Sequence, residues 1–239
     1  MNRARVLLEP AWVLKASPYG DSSLLVEAFS RAHGRVGLVA RGARSAKSRP
    51  RVLLQGFRPL LLSWSESGDL GTLTGVEAHG IAQEFRGEAV FSGWYLNELL
   101  LRLLQRHDAH PALFEAYGET LASLAERGER ALRRFEMQLL ADLGFGLDLP
   151  PDLEPGLRYQ YHAGEGPLPM RSDDDEEGYP GQMLIDLRDD RLDDPAHLRL
   201  ARQLLREALA VHLGGKPLNT ATMLRELRRR AADANARSR

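Results

Sequence analysis

Ser22-Ser23-Leu24-Leu25-Val26-Glu27-Ala28-Phe29 runs through Ser30-Arg31-Ala32 and His33-Gly34 into Arg35-Val36-Gly37-Leu38-Val39-Ala40-Arg41. Two short runs rich in Val and Leu, parted by a turn, read as strands. Upstream, Val6–Lys15 is a third such run, set off by Ser17-Pro18-Tyr19-Gly20-Asp21. Downstream, Phe57–Ser65 and Leu70–Glu77 are joined by Glu66-Ser67-Gly68-Asp69. Five short strands at regular spacing suggest a small closed barrel or sandwich within residues 1–82. Gly42–Pro50 fits neither period, and its small, basic and polar residues read as a mobile loop between the third and fourth strands.

From about residue 88 the period changes. Leu96, Leu99, Leu100, Leu103 and Leu104 share one helical face. A second helix follows Pro111 and covers Leu113 to Leu124; a third carries Leu132, Phe135, Leu139 and Leu143 and ends at Gly144. Residues 147–194 are rich in Pro and Gly and hold the acid run Asp173–Glu177. They read as an inserted loop or hairpin region, with Leu157–His162 and Gln182–Leu187 as strand-like pieces that could pair. Helical spacing returns at Ala201, Leu204, Leu205 and Ala208, breaks at Gly214-Gly215, and resumes after Pro217 with Met223, Leu224 and Leu227. Ala231–Arg239 reads as a frayed tail.

The 239 residues contain no cysteine, which excludes disulfides, thiolate metal sites and cysteine nucleophiles. No apolar run of about 18 residues occurs, so no membrane-spanning segment is expected. Met1–Pro10 lacks the apolar core of a secretory signal, and a cytoplasmic location is the expectation. A formal net charge of −1 hides an asymmetry: residues 1–85 carry +4 and the remainder −5. Within Arg31–Arg58 there are eight basic residues and no acidic one. Such a local field acts on a partner even when the whole chain is nearly neutral.

Signatures of catalysis are weak. Gly215-Lys216-Pro217 lacks the Ser/Thr of a phosphate loop, and Gly144-Phe145-Gly146 follows a helix and has Leu149 where a dinucleotide pattern needs glycine. Both read as helix-end glycines. His107 and His110 sit at a helix end and read as solvated linker rather than metal ligands; Asp173–Glu177 reads as a solvated loop. The expectation is a protein without cofactor, metal, small-molecule substrate or catalytic residue.

The basic stretch is the strongest functional signal. Arg31, Arg35, Arg41, Arg44, Lys47, Arg49 and Arg51 lie among Gly, Ala and Ser, which allows a loop to approach a phosphate backbone closely. Self-repulsion among these charges favours a polyanionic partner. A small barrel with basic loops is the usual platform for single strands, whose bases stack on aromatic side chains. Alternation buries most of Trp12, Phe29, Phe57 and Trp64; Tyr19, at a turn, is the stacking candidate.

The run Tyr19-Gly20-Asp21-Ser22-Ser23, then Gly34-Arg35, then Ala40-Arg41-Gly42-Ala43-Arg44 with Lys47-Ser48, resembles the N-terminal domain of the RecO family of bacterial DNA-repair and recombination mediators. Leu54-Gln55 and Phe57 continue the likeness, with Gly56 where the family usually has proline. So do Tyr95-Leu96-Asn97-Glu98-Leu99-Leu100, Pro111 with Leu113-Phe114 and Tyr117, Arg134-Phe135-Glu136 with Leu139-Leu140, Leu143-Gly144, Leu147-Asp148-Leu149, and Leu213-Gly214 with Lys216.

The resemblance implies an α+β protein: an N-terminal five-stranded OB-fold-like barrel over 1–82, then an all-α domain over 83–239 with the insert at 147–194. It implies binding of single- and double-stranded DNA, annealing of complementary strands, action on strands coated by single-strand binding protein, and cooperation with RecR in loading RecA. A nucleoid-associated location goes with these activities. Many members carry a four-cysteine zinc site in the region matching 148–195; this chain has no cysteine, so no zinc is expected. Lys216 is a further candidate DNA contact, weaker than in relatives because Asn219 and Ala221 stand where a basic pair often follows. An acidic C-terminal tail of single-strand binding protein would suit an apolar floor with a basic rim, and Arg130, Arg133 and Arg134 beside Phe135 are the candidates. The alternatives are an RNA-binding barrel, a protein-interaction scaffold whose basic loop meets an acidic partner, and an enzyme using the acid run.

Overall fold

Strands β1 (Arg5–Tyr19), β2 (Ser23–Ser30) and β3 (Gly34–Ala40) form consecutive antiparallel hairpins; helix α1 (Arg49–Leu53) leads on to β4 (Pro59–Ser65) and β5 (Gly71–Ala78). The computed structural model describes residues 4–45, 48–66, 68–170, 178–220, 222–224, 226 and 229, except the side chain of Arg49. The strand order is β1-β2-β3-β5-β4, and β4 returns to β1, so the sheet closes. Its parallel seam places Leu38 beside Gly71 and Val39 beside Thr72. Closure of five strands with a helix between the third and fourth makes this an OB-type barrel.

Inward positions follow the period of two. Val26 and Ala28 come from β2, Val36, Leu38 and Ala40 from β3, and Leu60, Leu62 and Trp64 from β4. Ala43 and Leu54, from the segment between β3 and β4, join this core. That segment is therefore not wholly a loop: it contains α1, with Pro50 in its first turn. Lys47 lies outside the described residues.

Strand β1 is longer than its apolar run. Ser17 pairs with Leu25, Pro18 with Leu24 and Tyr19 with Ser23, so the turn is only Gly20-Asp21-Ser22. Past Trp12 the strand pairs with β2 alone, the edge setting that tolerates proline. Register shifts at Val6/Glu9 and Val13/Lys15 bend it round the barrel.

By compactness the chain forms two units, Met1–Ala122 with Leu218–Arg239, and Ser123–Pro217. In the first, α2 (Glu88–Leu103) and the start of α3 (Pro111–Arg127) cover the barrel. Trp12 meets the Tyr117 ring edge-on at 5.5 Å, and Phe29 meets Phe114 likewise at 5.5 Å. Phe57, at φ +64°, packs where only glycine at 93 leaves room: a Cβ there would lie 2.6 Å from its ring. A buried polar chain joins three elements. The Tyr117 hydroxyl donates to Asn97 Oδ1 at 2.5 Å, and Asn97 Nδ2 donates to the Leu14 carbonyl at 2.9 Å. Burial pushes the Tyr117 hydroxyl far above the usual phenol range.

The second unit holds α4 (Glu129–Asp142), β6 (Arg158–His162), β7 (Gly166–Pro169), β8 (Tyr179–Pro180), α5 (Gly181–Arg188) and α6 (Pro195–His212). Strand β6 pairs with β7 and β8, not with Gln182–Leu187. The latter is α5, which buries Met183, Leu184 and Leu187; a six-residue apolar run does not distinguish strand from helix. Buried Leu149, Leu153, Tyr159 and Tyr179 organise the inserted region, and Tyr159 Oη accepts from the Glu154 amide at 2.9 Å. The acid run Asp173–Glu177 lies outside the described residues.

Helix α4 ends in a Schellman motif. Gly144 N–H donates to Ala141 O at 3.0 Å and Phe145 N–H to Leu140 O at 2.8 Å, with Gly144 at φ +81°. Gly214-Gly215 does the same for α6, Gly215 N–H reaching Ala210 O at 3.3 Å. Both glycine signals are helix ends.

Candidate nucleic-acid interface

The cations of Arg31–Arg58 separate along the β2–β3 hairpin. Leu24 pairs with Ala40 at one end and Ser30 with Gly34 at the other. Six residues of strand at ~3.3 Å each put the two ends about 20 Å apart. Arg31 and Arg35 stand at one pole; Arg41 and Arg44 stand at the other.

The first pole is internally committed. Arg35 Nη1 donates to the Leu101 carbonyl at 2.7 Å, and its guanidinium lies 4.0 Å from Glu27, which also pairs with Arg106. Burial lowers the Arg35 pKa; Glu27 opposes this and Arg106 adds to it. Arg31 pairs with Glu115 at 2.7 Å, both half exposed. Gly34, at φ +62°, is a fitting requirement: a Cβ there would stand 1.7 Å from the Asp108 carbonyl oxygen. The Gly34-Arg35 pair fastens β3 to the segment after α2, with His107 N–H donating to Arg35 O at 3.0 Å.

The second pole faces solvent. Tyr19 is 45% exposed, whereas Trp12, Phe29, Phe57 and Trp64 are buried. Arg41, Arg44 and Arg51 are exposed. Arg44 Nη1 donates to the Gly20 and Asp21 carbonyls at 2.8 and 3.0 Å, and Arg51 Nη1 to the Arg44 carbonyl at 2.5 Å. These bonds splint the hairpin tip against the turn before α1, beside Tyr19. Arg41 has no ion-pair partner among the described residues, and the Nε and Nη2 of Arg44 have no hydrogen-bond acceptor among them. Three exposed guanidinium groups beside one exposed aromatic ring can hold phosphates and a stacked base together. Asp21 is the acid of this tip, and its carbonyl serves Arg44.

The α4 candidates divide. Phe135 is 1% exposed and Arg133 4%, the latter paired with buried Glu136, so neither offers surface to a partner. Arg130 reaches Asp193 at 2.5 Å and Asp190 at 3.5 Å, while Arg127 and Arg134 each lie 3.9 Å from Asp190. Asp190 adopts φ +53° at the end of α5, which aims one carboxylate at three arginines. Lys216 is exposed, just past the end of α6. His107 is exposed at φ +62° and His110 lies 3.5 Å from Asp108. Among the described residues no group of three metal-ligating side chains occurs, and no helix is long and apolar enough to cross a membrane.

Sequence reasoning missed Glu98. It accepts from the amide and Nδ2 of Asn219 at 2.8 and 3.0 Å and from the amide and hydroxyl of Thr220 at 2.9 and 2.7 Å. Burial alone would raise its pKa; these bonds outweigh that and hold it below the usual carboxylate range. A polar Asn97-Glu98 pair inside an apolar helical stripe was the available signal.

Fold and site define an oligonucleotide-binding-fold protein: a closed five-stranded barrel with a cationic, aromatic-bearing pole, followed by helices. Residues 5–82 match the family model for Recombination protein O N terminal, and residues 85–158 that for Recombination protein O C terminal. The chain is 47% identical over 235 residues to DNA repair protein RecO of Nitrosococcus oceani, covering 94% of this chain and 95% of that one. It is 44% identical over 237 residues to DNA repair protein RecO of Aromatoleum aromaticum, covering 95% and 98%. The chain therefore belongs to the RecO family of DNA repair proteins, a family of mediators rather than a known enzyme family.

Proposed function

We propose that this chain binds single- and double-stranded DNA through the barrel pole of Tyr19, Arg41, Arg44 and Arg51, with Lys47 and Arg49 adjoining in sequence, and that it anneals complementary strands without catalysis. The observation that carries this reading is the solvent-facing placement of Arg41, Arg44 and Arg51 beside the exposed Tyr19. Arginines displace counterions along a strand, and their release supplies affinity. Neutralising two strands at once lowers their repulsion, so complementary bases can meet. Helping to load recombinase on strands coated by single-strand binding protein, with RecR as partner and association with the nucleoid, completes the role. The rim for the acidic tail of single-strand binding protein is half-exposed Arg134 and Arg127, with the partly buried Arg130 beside them. Lys216 is a secondary contact.

The test is binding of a labelled single-stranded oligomer against salt, for wild type and for Arg41/Lys47/Arg49 changed together to Glu, which spares the bracing Arg44. Wild type is expected to bind with a steep slope, of order −0.7 per phosphate contacted, and the variant to lose affinity and slope. Salt-independent or absent binding by wild type overturns the reading. Matched RNA and DNA oligomers, and competition by an acidic peptide, separate it from an RNA-binding barrel and a protein scaffold.

A further inference from the structure

Within the second unit the ends of α4 and α6 meet ring to ring. Phe145, just past the Gly144 turn that closes α4, stacks on His212 in the last turn of α6, with ring centroids 3.9 Å apart and planes 22° from parallel. The Schellman motif of α4 sets Phe145 there through its N–H bond to Leu140 O. Such a motif ordinarily turns an apolar side chain at this position onto its own helix. Phe145 instead has His212 against its ring and stays 51% exposed. Gly215 holds the matching position after α6 and adds no side chain to cover the rings. A Cβ at Gly144, Gly214 or Gly215 would meet nothing within 4 Å, so both turns leave open space. Val211, beside His212 in the chain, is 67% exposed, and Lys216, four residues past His212, is exposed as well. From Pro195 to Pro217 the chain carries Arg199, Arg202, Arg206 and Lys216 against one acid, Glu207. That carboxylate is taken up by Tyr179 Oη at 3.0 Å and Gln203 Nε2 at 3.1 Å.

We propose that Phe145, backed by His212, is a stacking platform for an unpaired nucleobase, with Lys216 holding an adjoining phosphate, so that the second unit carries its own contact to single-stranded DNA. The proposal rests on the reading of the protein as a DNA binder and adds a site to it. A base laid on the open side of Phe145 extends a stack that already exists. His212 has already ordered the ring, so little side-chain freedom is lost on binding. The cation excess along α6 and its end favours a polyanion over a neutral or basic peptide. Base faces are accessible only in unpaired strands, so this contact separates single strands from duplex, which phosphate contacts alone do not. Pairing withdraws the base into the duplex stack, and the contact is lost once annealing is complete.

The experiment compares full-length wild type, Phe145→Ala, Phe145→Leu, Phe145→Tyr, Lys216→Gln and the barrel variant Arg41/Lys47/Arg49→Glu. Affinity and its salt slope are measured for a single-stranded oligomer and for the matching duplex, and a 2-aminopurine base in the single strand reports stacking. Phe145→Ala and Phe145→Leu are expected to weaken single-strand binding roughly five- to hundredfold, the loss of one base stack. Their salt slope stays at the wild-type value, because stacking releases no counterion, and duplex affinity is unchanged. Phe145→Tyr keeps the platform and binds as wild type. Lys216→Gln is expected to lower the slope by ~0.7, one phosphate no longer held. Phe145→Leu keeps an apolar side chain at the end of α4, so it separates the ring's flat face from a packing role: wild-type binding by Phe145→Leu overturns the platform, even where Phe145→Ala is weakened. Wild-type affinity in both of these variants, with the barrel variant weakened, overturns this proposal and leaves the barrel reading intact. No salt-dependent binding by wild type overturns both. Loss of affinity for a poly-glutamate peptide in Phe145→Ala, with DNA binding unchanged, makes the surface a protein-docking site and overturns the proposal.

Discussion

Asn97 touches β1 through the Leu14 carbonyl and α3 through the Tyr117 hydroxyl, and all of this lies in the buried interior. Asn97→Ala is expected to destabilise by about 2–5 kcal/mol, since each orphaned buried group costs ~1–3 kcal/mol; urea unfolding measures it. Gly34→Ala meets both a left-handed backbone and the Asp108 carbonyl, so it is expected to cost several times the roughly 1 kcal/mol of an ordinary surface glycine change. Glu98 is the residue whose protonation matters. Its lowered pKa means that its bonds to Asn219 and Thr220 contribute stability above the ordinary glutamate value of ~4.3 and lose it as pH falls through the lower folded value. The Asn219 and Thr220 amide shifts should titrate with a midpoint below that ordinary value, and be flat between pH 6 and 8. A midpoint at or above it contradicts the reading that Asn219 and Thr220 hold Glu98 charged.

At the scale of elements, period makes the fold legible and its failures are failures of length. Strands β2, β3, β4 and β5 and helices α2, α3 and α4 are legible in the sequence because each repeats its apolar spacing enough times to show a face. Helix α1 is not, because five residues complete barely more than one turn. Helix α5 reads as a strand for the same reason. The cations of the barrel are legible as a group, because charge density is local in sequence. Their division into two poles is not: Glu115, which takes Arg31, is far away in the chain, and register decides which end of the hairpin an arginine occupies. Helix α4 shows the same limit. Arg133 and Arg134 are neighbours in sequence, yet one is buried against Glu136 and the other is half exposed beside Asp190. Removing Arg133 alone leaves Glu136 as a buried charge short of its partner, and is expected to cost ~3–5 kcal/mol, whereas Arg133→Met with Glu136→Leu is expected to be within about 1–2 kcal/mol of wild type. Thermal melts of the two variants decide it, and equal losses contradict the argument.

For the molecule as a whole, the barrel's closed sheet does not make it self-sufficient. Its interior is filled from β1 to β4, but Trp12 and Phe29 are buried outside that interior core, against Phe114 and Tyr117 of α3, and Phe57 fits against Gly93 of α2. Trp12, Phe29 and Phe57 are each at most 8% exposed, with Trp12 and Phe29 against α3 and Phe57 against α2 and Phe85. A fragment of residues 1–82 would carry every barrel strand and uncover all three rings, each a large apolar surface worth roughly 1.5–3 kcal/mol when buried. It would also lack the Asn97 bond to the Leu14 carbonyl and the pairings of Arg35 and Glu27 with the end of α2. A fragment of residues 1–122 keeps all of these interactions. The expected result is that 1–82 binds a hydrophobic dye, lacks near-ultraviolet aromatic dichroism and aggregates, while 1–122 shows a cooperative melt and retains salt-dependent DNA binding. A cooperative, dye-negative 1–82 fragment would mean that the barrel core alone outweighs the exposed aromatic face, and the helices would then not be part of the barrel's own stability.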